Sequence, residues 1–191
     1  MKREEMRSLL MKSTEQVVAR DGLERTTTKS IASGVGVNEV YIYRNFQDKD
    51  DLVRQAFLVE DCAFINEMIN RTSVLKTEGV TREMSFRRYW DICWNYLMRR
   101  PENCLFYVRF YYSAAFDETV GKLHSSYCNA LEEEVNGALG NSEILHVILP
   151  QILEMMWIFA SKVALGTWEN TPETAEKCYQ ILYGMCRGAA G

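Results

Sequence analysis

Apolar residues return every three or four positions along almost the whole chain, and nowhere do they alternate with polar ones over the length of a strand. No Asn-Gly or Asp-Gly pair sits between two alternating runs, where it would mark a hairpin. Prolines and glycines, 3 and 11 in 191 residues, are too few for a loop-rich sandwich. The pattern predicts an all-α protein. With 47% hydrophobic and 25% charged residues, such a chain can bury a core and is not disordered.

Caps and breakers divide the pattern into nine predicted helices. The first spans 4–20 on a stripe of Met6, Leu10, Val17 and Val18, with Thr14 on the same face, and stops at Asp21-Gly22. Thr27 is the best N-cap for a second helix through Ser33, and Asn38 for a third over 39–45. Asp48 caps a fourth to about 71, and residues 72–82 read as a linker. Further helices are expected over 83–99, 101–113, 117–139, 143–165 and 172–187. Gly140-Asn141-Ser142 stops the seventh, Pro150 is a possible kink in the eighth, and Thr171-Pro172 opens the ninth.

Several chemistries find no motif. There is no GxSxG, P-loop, GxGxxG or HExxH, so the chain does not read as an enzyme and no cofactor is expected. Six cysteines without a CxxC pair and only two histidines offer no zinc spacing, so no metal is expected either. The start, Met1 to Ser13, has no apolar stretch of signal-peptide length. Ile144 to Leu165 is apolar but interrupted by His146, Pro150, Gln151, Glu154 and Lys162, which fits a buried helix better than a membrane span. Scattered thiols and nine methionines point to a reducing, cytoplasmic setting.

The predicted helices at 28–33 and 39–45, joined by a turn at Gly36, fit a helix-turn-helix, with Ile31, Val37, Ile42 and Phe46 locking the pair. Net charge is −4, yet residues 1–58 hold ten Lys and Arg against nine Asp and Glu, whereas 59–191 hold twelve against seventeen. That distribution leaves room for a DNA-facing surface in the N-terminal third.

Residues 27–52 resemble the DNA-binding segment of the TetR family. The matches are Thr27, Thr28, Ile31, Ala32, Gly36, Val37, Tyr43, Phe46, Lys49 and Leu52, with Asn38 and Ile42 as close substitutes. The resemblance implies an N-terminal, homeodomain-like helix-turn-helix domain (1–48) and a C-terminal helical bundle of the TetR type for ligand binding and dimerisation (49–191), with helix 49–71 connecting the two. It implies phosphate contacts from Thr27 or Thr28, Tyr43 and Lys49, and base-edge contacts from Glu39, Val40, Tyr41 and Arg44, behind the Asn38 cap. Asn45 stands where the family often places a residue near phosphate. The family usually has Gly or a small residue at position 40 and often Lys at 39, so Val40, Tyr41 and Glu39 imply a different operator. Core packing for Tyr43 and an ion pair with Asp48 for Arg44 stay open.

The rest of the chain is rich in aromatic residues. Trp90 and Trp94 share one helix face, as do Phe106 and Phe110. Either pair could fill a core, or line a ligand cavity with Tyr111, Met155 or Met156, and Phe159; Arg109, Tyr111 and His124 are candidate polar anchors. The ninth helix carries an apolar stripe wider than one packing contact needs, including Tyr179, Ile181, Leu182 and Met185. By the resemblance these residues, with Met156, form a homodimer interface. The expected function is a sequence-specific transcription regulator, a repressor released from a palindromic operator on double-stranded DNA by an apolar or aromatic small molecule. The alternative is a helix-turn-helix protein acting mainly through protein partners.

Overall fold

The computed structural model describes residues 2–140 and 144–189. In order these form α1 (Arg3–Asp21), α2 (Thr28–Val35), α3 (Val40–Asn45), α4 (Lys49–Asn70), α5 (Arg82–Met98), α6 (Pro101–Tyr111), α7 (Glu118–Leu139), α8 (Leu145–Ala164) and α9 (Pro172–Ala189), with no strand among the described residues. The all-α expectation holds. α2 runs two residues past the predicted Ser33. The predicted linker at 72–82 begins with a 3-10 turn, Thr72–Lys76, because Leu75 buries its side chain and the Thr72 hydroxyl donates to the Ile69 carbonyl at 2.9 Å. α8 continues through Pro150. Asn141, Ser142 and the predicted helix start at Glu143 lie outside the described residues.

The chain separates into two compact units, Met1–Asp61 with Glu102–Leu123, and Cys62–Pro101 with His124–Gly191. This differs from the boundary expected at 48/49, and the packing of α6 accounts for the difference. In the first unit, Phe57 of α4 stacks on Phe110 of α6 with centroids 4.5 Å apart, and the Tyr107 hydroxyl donates to Asp61 at 3.0 Å. The Asn103 amide donates to both Glu15 and Glu60 at 3.0 Å. Arg109 donates to the Val18 and Ala19 carbonyls at 2.6 and 3.0 Å, where its charge complements the C-terminal end of α1. This candidate anchor therefore serves α1.

The core below the helix-turn-helix is built as the apolar spacing predicts. Met6, Leu10 and Val17 of α1 pack with Ile31 and Ala32 of α2, Ile42 and Phe46 around α3, and Leu52 of α4. α1 and α2 also meet at a buried hydrogen bond from the Ser13 hydroxyl to the Ile31 carbonyl, 2.7 Å. A methyl group on Gly34 would collide with that hydroxyl. Gly34→Ala therefore forces Ser13 to rotate and leaves a buried hydroxyl unpaired, costing about 1–3 kcal/mol. Against this stands a helix-propensity gain of about 1 kcal/mol. The single variant should be less stable than the parent by chemical denaturation. In a Ser13→Ala background the collision is gone, and the same substitution should stabilise by about 1 kcal/mol.

The second unit contains α5, α8 and α9 and parts of α4 and α7. α8 is long and apolar enough to cross a membrane by length and composition. Here it packs Leu149, Leu153, Met156, Trp157 and Ala160 into the unit.

Candidate nucleic-acid interface and bundle cavity

Local chemistry fixes both helices of the motif. Thr27 and Ser30 form a reciprocal cap at the start of α2: the Thr27 hydroxyl oxygen accepts from the Ser30 amide at 3.1 Å, and the Ser30 hydroxyl oxygen from the Thr27 amide at 3.0 Å. Gly36 ends α2 in the left-handed region at φ +74, which an L side chain adopts only with strain. The Asn38 side chain then accepts from the Val40 amide at 2.9 Å, and α3 begins one residue later than expected, with Glu39 rather than Asn38 at its N-cap position. Ile42 and Phe46 are buried, while Val40, Tyr41 and Tyr43 are 48%, 38% and 57% exposed and Arg44 is also exposed.

Three further interactions hold this surface. The Arg44 guanidinium lies 5.4 Å from the centre of the Tyr41 ring. Arg7 of α1 lies 4.4 Å over the Phe46 ring and donates to the Asn45 carbonyl and to Gln55 of α4. It thereby ties the C-terminal end of α3 to both neighbouring helices. At the start of α4, Asp48 accepts from the Asp51 amide at 2.8 Å, and the Lys49 ammonium donates to the Thr26 carbonyl at 3.3 Å.

Residues 10–56 match the family described as bacterial regulatory proteins, tetR family. The N-terminal domain is of the TetR family. Solved structures extend the likeness to the fold of the whole chain. A TetR family transcription regulator from Marinobacter aquaeolei VT8 superposes with a TM-score of 0.73 at 19% identity, covering 95% of each chain. A TetR family transcription regulator from Shewanella sp. PV-4, described as putative, gives 0.72 at 14%, covering 94% of this chain and 97% of its own. A TetR-like regulator from Rhodococcus sp. RHA1 gives 0.70 at 18%, covering 100% and 99%. Comparison with curated proteins gives no match.

The TetR-type domain distributes its expected contact residues unevenly. Thr27, Asn38, Glu39, Val40, Tyr41, Tyr43 and Arg44 are exposed, and Thr28 and Lys49 are half-buried. Tyr43 is not core, and Arg44 meets Tyr41 rather than Asp48. Asn45 departs from the expectation: it is 8% exposed, and its amide donates to the Tyr41 carbonyl at 2.7 Å. It fastens α3 instead of standing free for a phosphate. The Glu39 carboxylate accepts from the Thr28 hydroxyl at 2.9 Å, so two residues expected to meet DNA separately meet each other across the turn. No sequence motif marks Arg7. The only signal was a cation one position after Met6 on the stripe of α1.

The second unit holds a cavity of about 690 Å³ that opens to solvent on one side, within the range of small-molecule sites, about 300–1,000 Å³. Trp90 lines it. Trp94 does not: it stacks on Trp90 with centroids 5.1 Å apart. Met155 and Phe159 are also off the wall, Phe159 packing against Trp168 at 5.6 Å. Phe106, Phe110 and Tyr111 belong to the other unit. Met156, Tyr179 and Leu182, expected at a dimer interface, instead line the cavity and are buried within the chain. Ile181 is exposed and Met185 half-buried. His124 has a ring nitrogen 3.6 Å from the Cys128 sulfur one helical turn on. Phe86, Tyr183, Arg82 and Arg187 line the cavity and were not singled out from the sequence. On the same wall, burial pushes the Cys93 thiol and the Tyr89 phenol well above their ordinary values, and the Tyr89 hydroxyl donates to the Met68 carbonyl at 3.0 Å. Cys93 is buried at 2% exposure and packs in the core of the unit.

Proposed function

We propose that the chain is a dimeric, sequence-specific repressor whose recognition helix is α3, released from a palindromic operator by a small molecule held in the cavity of the second unit. The observation that carries this reading is the division of α3. One face, Ile42 with the following Phe46, is locked into the core, while the other offers Val40, Tyr41, Tyr43 and Arg44. Tyrosine and arginine supply both apolar contact and hydrogen bonds to base edges in a major groove. Dimerisation through the last two helices is supported by Val147 and Leu165 on or beside α8 and Ile181 on α9, which are 52%, 58% and 48% exposed. Two copies related by a two-fold axis require a palindromic site.

Selection of DNA fragments by the purified chain, followed by sequencing, tests this. The expected result is an inverted repeat whose half-site centres lie about 34–36 Å apart, one turn of DNA. Recovery of random sequence that dissociates uniformly with salt would overturn sequence-specific recognition. Release by a ligand then requires different affinities for the DNA-bound and free forms, since equal binding to both shifts nothing.

A further inference from the structure

The cavity of the second unit is apolar along its buried wall and cationic at its opening. α5 and α9 line it side by side in opposite directions, and their rings meet in successive rungs. Trp90 meets Tyr179 with centroids 6.3 Å apart, and Phe86 meets Tyr183 at 6.0 Å. Each rung moves four residues back along α5 and four forward along α9. The next rung, by the same helical repeat, brings Arg82 towards Arg187, and both arginines line the cavity. These arginines are exposed, as are Gly140 and Ile144 beside them, whereas Trp90, Cys93, Leu153 and Met156 are buried. The guanidiniums therefore mark the opening.

Among the described residues no Asp or Glu lines this cavity, although the chain holds 26 acidic residues against 22 basic ones. Arg82 donates to the Leu139 carbonyl at 3.2 Å, which occupies one of its five N–H groups and neutralises no charge. With no carboxylate among the described lining residues, the two guanidiniums at the mouth of an apolar chamber present planar forks matched to a carboxylate or phosphate. Deeper in, Trp90 carries a buried indole N–H with no hydrogen-bond partner among the described residues.

We infer that the cavity takes an amphipathic anion, its apolar body along the α5–α9 wall and its carboxylate or phosphate head between Arg82 and Arg187. This specifies the ligand class of the cavity read above as the effector site, and rests on that reading. The test is direct binding by calorimetry to the full chain, without DNA, of four twelve-carbon probes below their aggregation thresholds: dodecanoate, dodecyl phosphate, dodecan-1-ol and dodecyltrimethylammonium. At least one anion should bind about 10-fold or more tightly than the alcohol, as charge-assisted hydrogen bonds imply, with the cation weakest. The tighter anion names the head group.

Arg82→Gln combined with Arg187→Gln should lower anion affinity to that of the alcohol and leave alcohol affinity unchanged, which also shows that the cavity is intact. If the double variant no longer binds the alcohol, each single variant must weaken the anion alone. Equal binding of alcohol and anions in the parent, no binding of either anion, or anion binding untouched by these substitutions would overturn the inference. Operator affinity, measured separately, keeps the two readings apart. Anions that bind through the arginines without weakening operator binding would remove the effector role but not the ligand class. An alcohol that binds as tightly as the anions and releases the operator equally would do the reverse.

Discussion

Leu182→Asp is expected to unfold the second unit, whereas its neighbour substitution Ile181→Asp leaves the subunit folded and dissociates the dimer. Leu182 is 4% exposed on the cavity wall, and Ile181 is 48% exposed on the same helix. A carboxylate at position 182 would be buried without a partner, at a cost of several kcal/mol against a total stability of about 5–15 kcal/mol for a typical domain. At 181 the carboxylate reaches water in the isolated chain and meets desolvation only when a second copy covers it. Circular dichroism melting and sedimentation separate the outcomes. A Leu182→Asp chain melting like the parent would mean that α9 does not close the cavity, and an intact dimer with Ile181→Asp would move the interface away from α9.

Tyr41→Ala should change which operator sequence is preferred, while Lys49→Ala should weaken binding to every duplex. Tyr41 is exposed on α3 and stacks with the Arg44 guanidinium at 5.4 Å, so the two form one continuous exposed surface. Loss of a base-edge contact costs about 1–3 kcal/mol and relaxes specificity at that position. Because the ring also holds Arg44, Tyr41→Ala and Arg44→Ala should be less than additive. Lys49 sits at the start of α4, half-buried against the Thr26 carbonyl. Removing it should lower the salt slope of binding by about 1 with no change in preference. Competition binding across a set of single-base operator variants at several salt concentrations measures both effects. Uniform weakening by Tyr41→Ala would remove α3 from the major groove.

The helix-turn-helix was legible because its determinants are local. The Thr27 cap, the Gly36 turn, the Asn38–Val40 hydrogen bond and the spacing of Ile31, Ile42 and Phe46 lie within twenty residues and act through backbone geometry and helical period. The cavity was not legible for the opposite reason. Trp90–Trp94 and Phe106–Phe110 carry the same four-residue spacing, and only distant partners decide their fates. Phe110 stacks on Phe57 in one unit, and Trp90 pairs with Tyr179 in the other. The widest stripe, on α9, does not sort itself in sequence, because a cavity wall and a dimer face both look apolar there. Tyr179 and Leu182 turn out to face inward, while Ile181 faces out. Nothing in the spacing signals that Thr28, eleven residues earlier, donates to the Glu39 carboxylate.

Helix α3 has only six residues, and its labour is sharply divided. Ile42 and Asn45 hold it down, with Arg7 gripping its end, while Val40, Tyr41, Tyr43 and Arg44 contribute little to the core. Substitutions at such exposed sites usually alter stability by no more than about 0.5 kcal/mol. Mutation can therefore rewrite these four positions almost independently of foldability. After gene duplication, a descendant could acquire a new target without first acquiring stabilising changes elsewhere. For an engineer the same separation defines a library: four randomised codons on an otherwise untouched scaffold, screened for binding alone.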